Sequence, residues 1–239
     1  MKPLYRDGFT IIETMLFLGI TGLLIVGILA GTGNSISIQR YRDSVTSLQS
    51  MLQMQYSNVE NVSNNSVAAK SCGAKTSPRG QSDCVILGRF ISTTDGKSIK
   101  IKTVIGSIPA VSTSSFNDIS IFRSSAYNIS VSPVDNEDYL LEWNSSIVTK
   151  AATNGLPLGF SMLVLRSPIS GTIRTFVSSG ADIVSDENIQ DIVVSAMQSQ
   201  VMLCVSPNGM SSVARSAIVI DANASGASSI ETLGDGSGC

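Results

Sequence analysis

The hydrophobic pattern divides the chain into three stretches. A short polar start, with Lys2 and Arg6, leads into an apolar run from Phe9 to Gly31 whose one charge is Glu13. These 23 residues are enough to cross a bilayer as a helix. After Gly33 the apolar positions step by three or four, at Ile38, Tyr41, Val45, Leu48, Leu52, Tyr56 and Val59, while Gln39, Arg40, Arg42, Asp43, Gln49, Gln53 and Asn58 lie largely off that stripe. This spacing predicts an amphipathic helix continuous with the apolar one. Its end is predicted near residue 62, where Asn61, Ser63, Asn64, Asn65 and Ser66 interrupt the pattern.

Beyond residue 70 the period changes to two. Val85–Ser92 and Lys97–Ile105 flank Thr94-Asp95-Gly96, a hairpin turn signal, and Ile99, Ile101, Thr103 and Ile105 alternate with Lys100 and Lys102. Further strands are expected at Ser120–Arg123, Tyr127–Val131, Tyr139–Trp143, Gly159–Arg166, Thr172–Ser178, Gln200–Ser206, Ala214–Asp221 and Ser228–Leu233. A short helix is expected over Asp186–Met197, capped by Ser185, with Ile189, Ile192, Val193 and Met197 on one face. The fold class is α+β: one long N-terminal helix, then an antiparallel, sandwich-like β-rich head. The divisions are 1–8, a leader; 9–31, a membrane-spanning half-helix; 32–66, an amphipathic stem; and 70–239, the head.

Composition narrows the chemistry. Charged residues are only 14% of the 239, the net charge is −2 and the mean hydropathy is +0.25. That balance offers no basic excess for a phosphate backbone, which disfavours a nucleic-acid partner. The chain has no histidine, so Ser-His-Asp, Cys-His and most zinc-hydrolase sites are excluded. No lysine has a serine three positions before it, which removes a Ser-x-x-Lys pair as well. No residue set points to an enzyme or to a cofactor. The four cysteines, Cys72, Cys84, Cys204 and Cys239, form no Cys-x-x-Cys pair. They permit three disulfide pairings, of which proximity favours Cys72–Cys84 with Cys204–Cys239 and hence an oxidising compartment. Four reduced, buried thiols are the alternative.

Glu13 is the residue a plain membrane anchor leaves unexplained. A carboxylate costs about 2–3 kcal/mol at the centre of a span and less near its edge, so it calls for a partner charge. Cleavage between Gly8 and Phe9 would create one, a new α-ammonium on Phe9.

Gly8-Phe9-Thr10-Ile11-Ile12-Glu13 and the apolar run behind it resemble the processing signal of type IV pilins and type II secretion pseudopilins. The resemblance covers about 25 residues. It implies that a prepilin peptidase cuts after Gly8 and N-methylates Phe9, and that Glu13 guides docking onto other subunits. It also implies an inner-membrane assembly platform as partner, single-pass residence in the inner membrane with an extracytoplasmic head, and then a surface or periplasmic filament. The architecture of the head is similar to H-type minor pseudopilins and minor pilins, and the Cys204 to Cys239 region resembles the disulfide-closed C-terminal region of many pilins. One departure is the lack of a proline late in the apolar run, where Gly19, Gly22, Gly27, Gly31 and Gly33 stand instead. These glycines either unwind the helix locally in a filament or allow close helix packing. The alternatives are a signal-anchored surface binding protein and a ligand- or DNA-capturing minor pilin.

Four smaller features complete the reading. Asp221, Asn223 and Ser225, followed by Gly226, match the first half of a calcium loop, although the acid due at position twelve is Thr232; a turn explains the same residues. Asp135-Asn136-Glu137-Asp138 reads as a solvated turn. Arg166, Arg174 and Arg215 make a basic strip only if the sheets gather them. Trp143 and Tyr139 are expected in the core.

Overall fold

The structure is a computed structural model and describes residues 8–61, 84–107, 118–124, 127–150, 155–180, 188–195, 200–209, 214–221, 223–234 and 238–239. Its first element, α1, is a single helix of 50 residues, Ile11–Glu60. Thr10 caps it, accepting a hydrogen bond from the Glu13 backbone N–H at 3.3 Å. The helix runs unbroken through all five glycines, and a methyl group placed at any of them would meet nothing. Its distal half is built into the head. Tyr41, Val45, Leu48, Leu52, Tyr56 and Val59 are buried, on the stripe the periodicity marks out; Met51, off that stripe, is buried beside them, and Ile38 is half-buried.

The head carries two antiparallel sheets. The first comprises β1 (Cys84–Thr93), β2 (Ser98–Ser107), β3 (Ser130–Leu140), β5 (Phe160–Arg166) and β6 (Ile173–Ser179), in the order β3-β2-β1-β5-β6. The second comprises β4 (Ser146–Val148), β7 (Val201–Ser206), β8 (Ser216–Ile220) and β9 (Ile230–Leu233), in the order β4-β7-β8-β9. Helix α1 packs against β1 and β5 of one sheet and β8 and β9 of the other. One core is therefore shared by helix and both sheets, with Leu48, Leu52, Ile91, Met162, Leu203 and Ile218 among its members. The other face of the larger sheet is covered by α2 (Asp118–Arg123) and α3 (Ile189–Ser195), over a second core of Leu87, Phe90, Leu163, Phe176, Phe122 and Ile192.

The β1–β2 hairpin turns where the sequence signal places it. Gly96 takes a left-handed φ of +67°, and a side chain there would overlap the Ile147 carbonyl. The Asp95 carboxylate accepts from the backbone N–H groups of Lys97 and Ser98 at 2.9 and 2.8 Å. Burial pushes its pKa up, but these bonds and the Thr93 hydroxyl outweigh it and hold the carboxyl below its ordinary range. A β-bulge between Ile86 and Gly88 brings Gly88 against β5. A Cβ at Gly88 would overlap the Val164 carbonyl oxygen, which belongs to backbone and cannot swing aside. Gly88→Ala is expected to cost about 1–3 kcal/mol, read as a lower urea midpoint with an unchanged slope. An unchanged midpoint would show that the sheet absorbs the methyl.

Four expectations need correction. Ser120–Arg123 lies in helix α2, not in a strand: Ile121 and Phe122, neighbours in sequence, are both buried in the second core, which alternation forbids. Gln190 Nε2 donates to the Phe122 carbonyl at 2.7 Å and Arg123 Nε to the Val193 carbonyl at 3.3 Å, so α2 and α3 satisfy each other's ends. Tyr127–Val131 and Tyr139–Trp143 are not two strands. A single strand β3 covers Ser130–Leu140, with an irregularity opposite Lys102–Val104 that accommodates Pro133 on this edge strand. The acidic run Asp135–Asp138 belongs to that strand rather than to a turn, because Asn136 and Asp138 pair in register with Lys102 and Lys100, and Glu137 reaches Arg89 at 3.5 Å. Trp143 is outside the core, 44% exposed, whereas Tyr139 is half-buried and donates to Ser47 Oγ at 2.9 Å. The expected helix over Asp186–Met197 is seen as Ile189–Ser195, with Ile189, Ile192 and Val193 buried; Ser185, Asp186 and Met197 lie outside the described residues. Strand β4 carries no sequence signal of its own and forms by pairing with β7.

Candidate functional site

The candidate site is the proximal half of α1 together with the chain that enters it. Gly8 and Phe9 precede the helix, and Phe9 is 80% exposed. From Ile11 to Leu29 the large apolar side chains are all exposed, and none is covered by the head. An 18-residue window here has a mean hydropathy of 2.2, long and apolar enough to cross a membrane by length and composition. The hydroxyls in the run and just beyond it are turned inward onto the helix: Thr14, Thr21, Thr32, Ser35 and Ser37 each donate to a carbonyl one turn back. Their polarity is thereby largely spent within the helix.

Glu13 stands in the first turn of α1, beside the Thr10 cap. Thr10-Ile11-Ile12-Glu13 has the spacing of a capping box, a signal that a charge-pairing reading overlooks. An acid there gains about 0.3–1 kcal/mol from the unpaired N–H groups of the helix start. Near the edge of a span a carboxylate costs less than the about 2–3 kcal/mol charged at its centre; the cap offsets part of that cost but supplies no opposite charge.

The distal half of α1 holds the head at a fixed height on the helix. The Tyr41 hydroxyl is fully buried, donates to the Val205 carbonyl at 2.8 Å and accepts from the Ser216 N–H at 2.7 Å, tying α1 to β7 and β8. Gln49 and Gln53 donate to the Ile230 carbonyl of β9 at 3.1 Å each. At the far end Arg166 donates to the Glu60 carbonyl at 2.9 Å, a cation on the open carbonyls of the helix C-terminus. The Tyr56 hydroxyl shares a 2.8 Å hydrogen bond with Thr175 Oγ1. Burial pushes that hydroxyl up to about 12 from 10.0, and the Thr175 bond offsets part of the rise. The folded chain thus holds this proton more tightly than the unfolded one. Its contribution is intact below pH 10 and is lost as pH climbs toward about 12. Alkaline denaturation is expected to steepen there by about 2–3 kcal/mol, and Tyr56→Phe to flatten it; an unchanged profile in that variant would assign the loss to other groups.

The remaining candidates fall as follows. Cys204 and Cys239 form a disulfide. Cys84 is also disulfide-bonded, and Cys72 lies outside the described residues. In the turn after β8, the Asp221 carboxylate accepts from Gln200 Nε2 at 3.3 Å, Asn223 is left-handed at φ +57°, and the Ala224 N–H closes onto the Asp221 carbonyl at 3.2 Å. Ser225 lines a pocket of about 430 Å³ together with Glu60, Arg166 and Arg174. Among the described residues no three His, Cys, Asp or Glu side chains gather as a metal group. The sheets bring Arg166 and Arg174 to that pocket, while Arg215 lies apart, beside Gly155. No family model, curated protein or solved structure matches the chain.

Proposed function

We propose that this chain is a structural subunit, of the minor pilin or pseudopilin kind, that is held in a membrane by α1 and assembled into a filament through it. The observation that carries the reading is the division of α1. One half is stitched into a folded head by buried tyrosines, and the other, equally regular, presents its apolar side chains to no partner within the molecule. A helix of that kind needs an apolar phase: first lipid, then the same helices of neighbouring subunits. In this scheme prepilin peptidase cuts after Gly8 and methylates Phe9, the new amine of one subunit meets Glu13 of the next, and the head forms the outer surface. The chain carries no catalytic role in this reading.

The decisive measurement is intact-mass and N-terminal peptide mass spectrometry on the native protein, from membranes and from sheared fibres separately. A chain that begins at methylated Phe9 and is present in fibres is the expected result. A chain that keeps Met1–Gly8 and stays in membranes would replace the reading with that of an anchored surface binding protein. Gly8→Val is expected to abolish cleavage, because a branched side chain would fill the position where the peptidase requires none. The precursor would then accumulate as a slower band on a gel, and normal processing of that variant would place the cut elsewhere.

A further inference from the structure

The chain has one tryptophan, and it is neither in the core nor in an ordinary conformation. Trp143 is 44% exposed and sits with Asn144 in left-handed backbone, φ +54° and +55°, which a bulky side chain avoids unless something holds it there. What holds it is visible. The Arg40 guanidinium of α1 stacks over the indole at 4.6 Å. Lys97 donates to Asn144 Oδ1 at 3.0 Å, and Asn208 Nδ2 donates to the Asn144 carbonyl at 2.7 Å. The strained loop thus presents an indole and two cations together at the end of the head nearest the apolar half of α1.

Height along the helix decides what these groups meet. Arg40 is nine residues beyond Gly31, roughly 14 Å up the axis. Helical side chains lean back toward the N-terminus by about one turn, roughly 5 Å. The Arg40–Trp143 stack therefore stands roughly 8–9 Å above the end of the apolar run. A bilayer has a hydrocarbon core of about 30 Å inside a total of about 40–45 Å, which leaves about 5–8 Å of headgroup layer on each side, so the stack stands at the outer edge of that layer. The stretch between is dressed for that boundary, with Ile36 exposed at 46% and the Thr32, Ser35 and Ser37 hydroxyls bonded into the helix.

We infer that the membrane-proximal rim of the head, Trp143 with Arg40 and Lys97, seats on the lipid headgroup layer while the subunit is in the bilayer. The indole lies in the interface, and the guanidinium and ammonium face phosphate oxygens. Glu142 is next to Trp143 in the chain, so the rim carries both signs and fits zwitterionic headgroups without requiring a strongly anionic surface. The seat fixes how far the head stands from the membrane before assembly, and it must be released when the subunit leaves. This inference rests on the anchored reading of α1 given above.

The test uses the full chain reconstituted in phosphatidylcholine–phosphatidylglycerol vesicles. Because Trp143 is the sole tryptophan, its fluorescence reports the rim directly. Flotation first shows whether the chain is anchored. In floated vesicles, a nitroxide carried on the lipid headgroup is expected to quench the indole several-fold more than bromine placed deep in the acyl chains. Aqueous iodide is expected to quench it several-fold less than in detergent-free urea-unfolded protein. Arg40→Ala combined with Lys97→Ala removes two cations and also two contacts of the Trp143 loop, so Arg40→Lys, which keeps the charge, is the paired control: the double variant is expected to float equally and to lose most of the headgroup quenching, and Arg40→Lys to keep it. A chain that floats while its indole answers only to iodide would overturn the seat and leave the anchor standing. A chain that does not float would overturn the anchor and the seat together.

Discussion

Glu13→Ala is expected to leave the chain in the membrane and to remove it from the proposed filaments. Insertion depends on the apolar run, and deleting its one charge makes that run more apolar, so membrane association is unchanged or stronger. The helix start loses a favourable first-turn acid, but the Thr10 cap is made by the Glu13 backbone N–H and survives the substitution. That loss is about 0.3–1 kcal/mol, too little to unfold a helix whose other half is packed into the head. Assembly is different, since the proposed ammonium–carboxylate pair forms between subunits in a nearly water-free place. There, removing one member strands the other charge, at about 3–5 kcal/mol. That is a loss of two orders of magnitude or more in incorporation, by conversion at about 1.4 kcal/mol per factor of ten. Immunoblots of sheared fibres against membranes measure it. Normal incorporation would end the charge-pairing account, and Glu13→Gln separates charge from shape.

Cys204→Ala with Cys239→Ala is expected to destabilise the head by about 3–4 kcal/mol. The bond closes a loop with a sequence separation of 35, and this loop carries β8, β9 and the turn between them. Cys204 is fully buried on an interior strand of the smaller sheet. Its neighbours Leu203 and Val205 point into the core shared with α1, so its own side chain points to the opposite face. The disulfide therefore pins the last residue across the outer face of that sheet. Without it the unfolded chain regains loop freedom. For a chain of this size the loss corresponds to a fall of about 10 °C in melting temperature, measured by circular dichroism on the oxidised protein and the double variant. A shift of a degree or two would mean that strand pairing alone holds the C-terminal region.

Features with a local period were legible from the residues themselves. The apolar run and the three-four stripe behind it specify α1 within two residues of its observed end, because burial along one helix face repeats every 3.6 residues whatever it packs against. The β1–β2 hairpin was legible because Gly96 is a residue that takes a positive φ without strain. The strands at Phe160–Arg166, Ile173–Ser179, Val201–Ser206 and Ser216–Ile220 follow from alternating or continuous apolar runs bounded by turn residues. Of the candidate site, the order Gly8, Phe9, Glu13 and the span could be read directly; the Thr10–Glu13 cap could have been, from its four-residue spacing.

What no local pattern carries is the choice among near-equal conformations made by distant partners. Residues 120–123 read equally well as a strand, and they are helical where Phe122 is buried against the nearby Tyr127 ring at 5.0 Å and against Phe176 of strand β6 at 6.5 Å, a partner far along the chain. Strand β4 exists only where β7 is beside it. Trp143 looked like core by residue type, yet a loop strained into left-handed backbone carries it to the surface under Arg40. The sequence by itself determined the long apolar helix, its buried stripe and most of the strands, because hydrophobic period and turn chemistry are properties of neighbouring residues. Only the tertiary structure decided that α1 joins two sheets in one core, that Tyr41 locks the head to the stem, and on which face of β7 the disulfide to Cys239 lies, because those outcomes depend on contacts between residues far apart in the chain or on opposite faces of one strand.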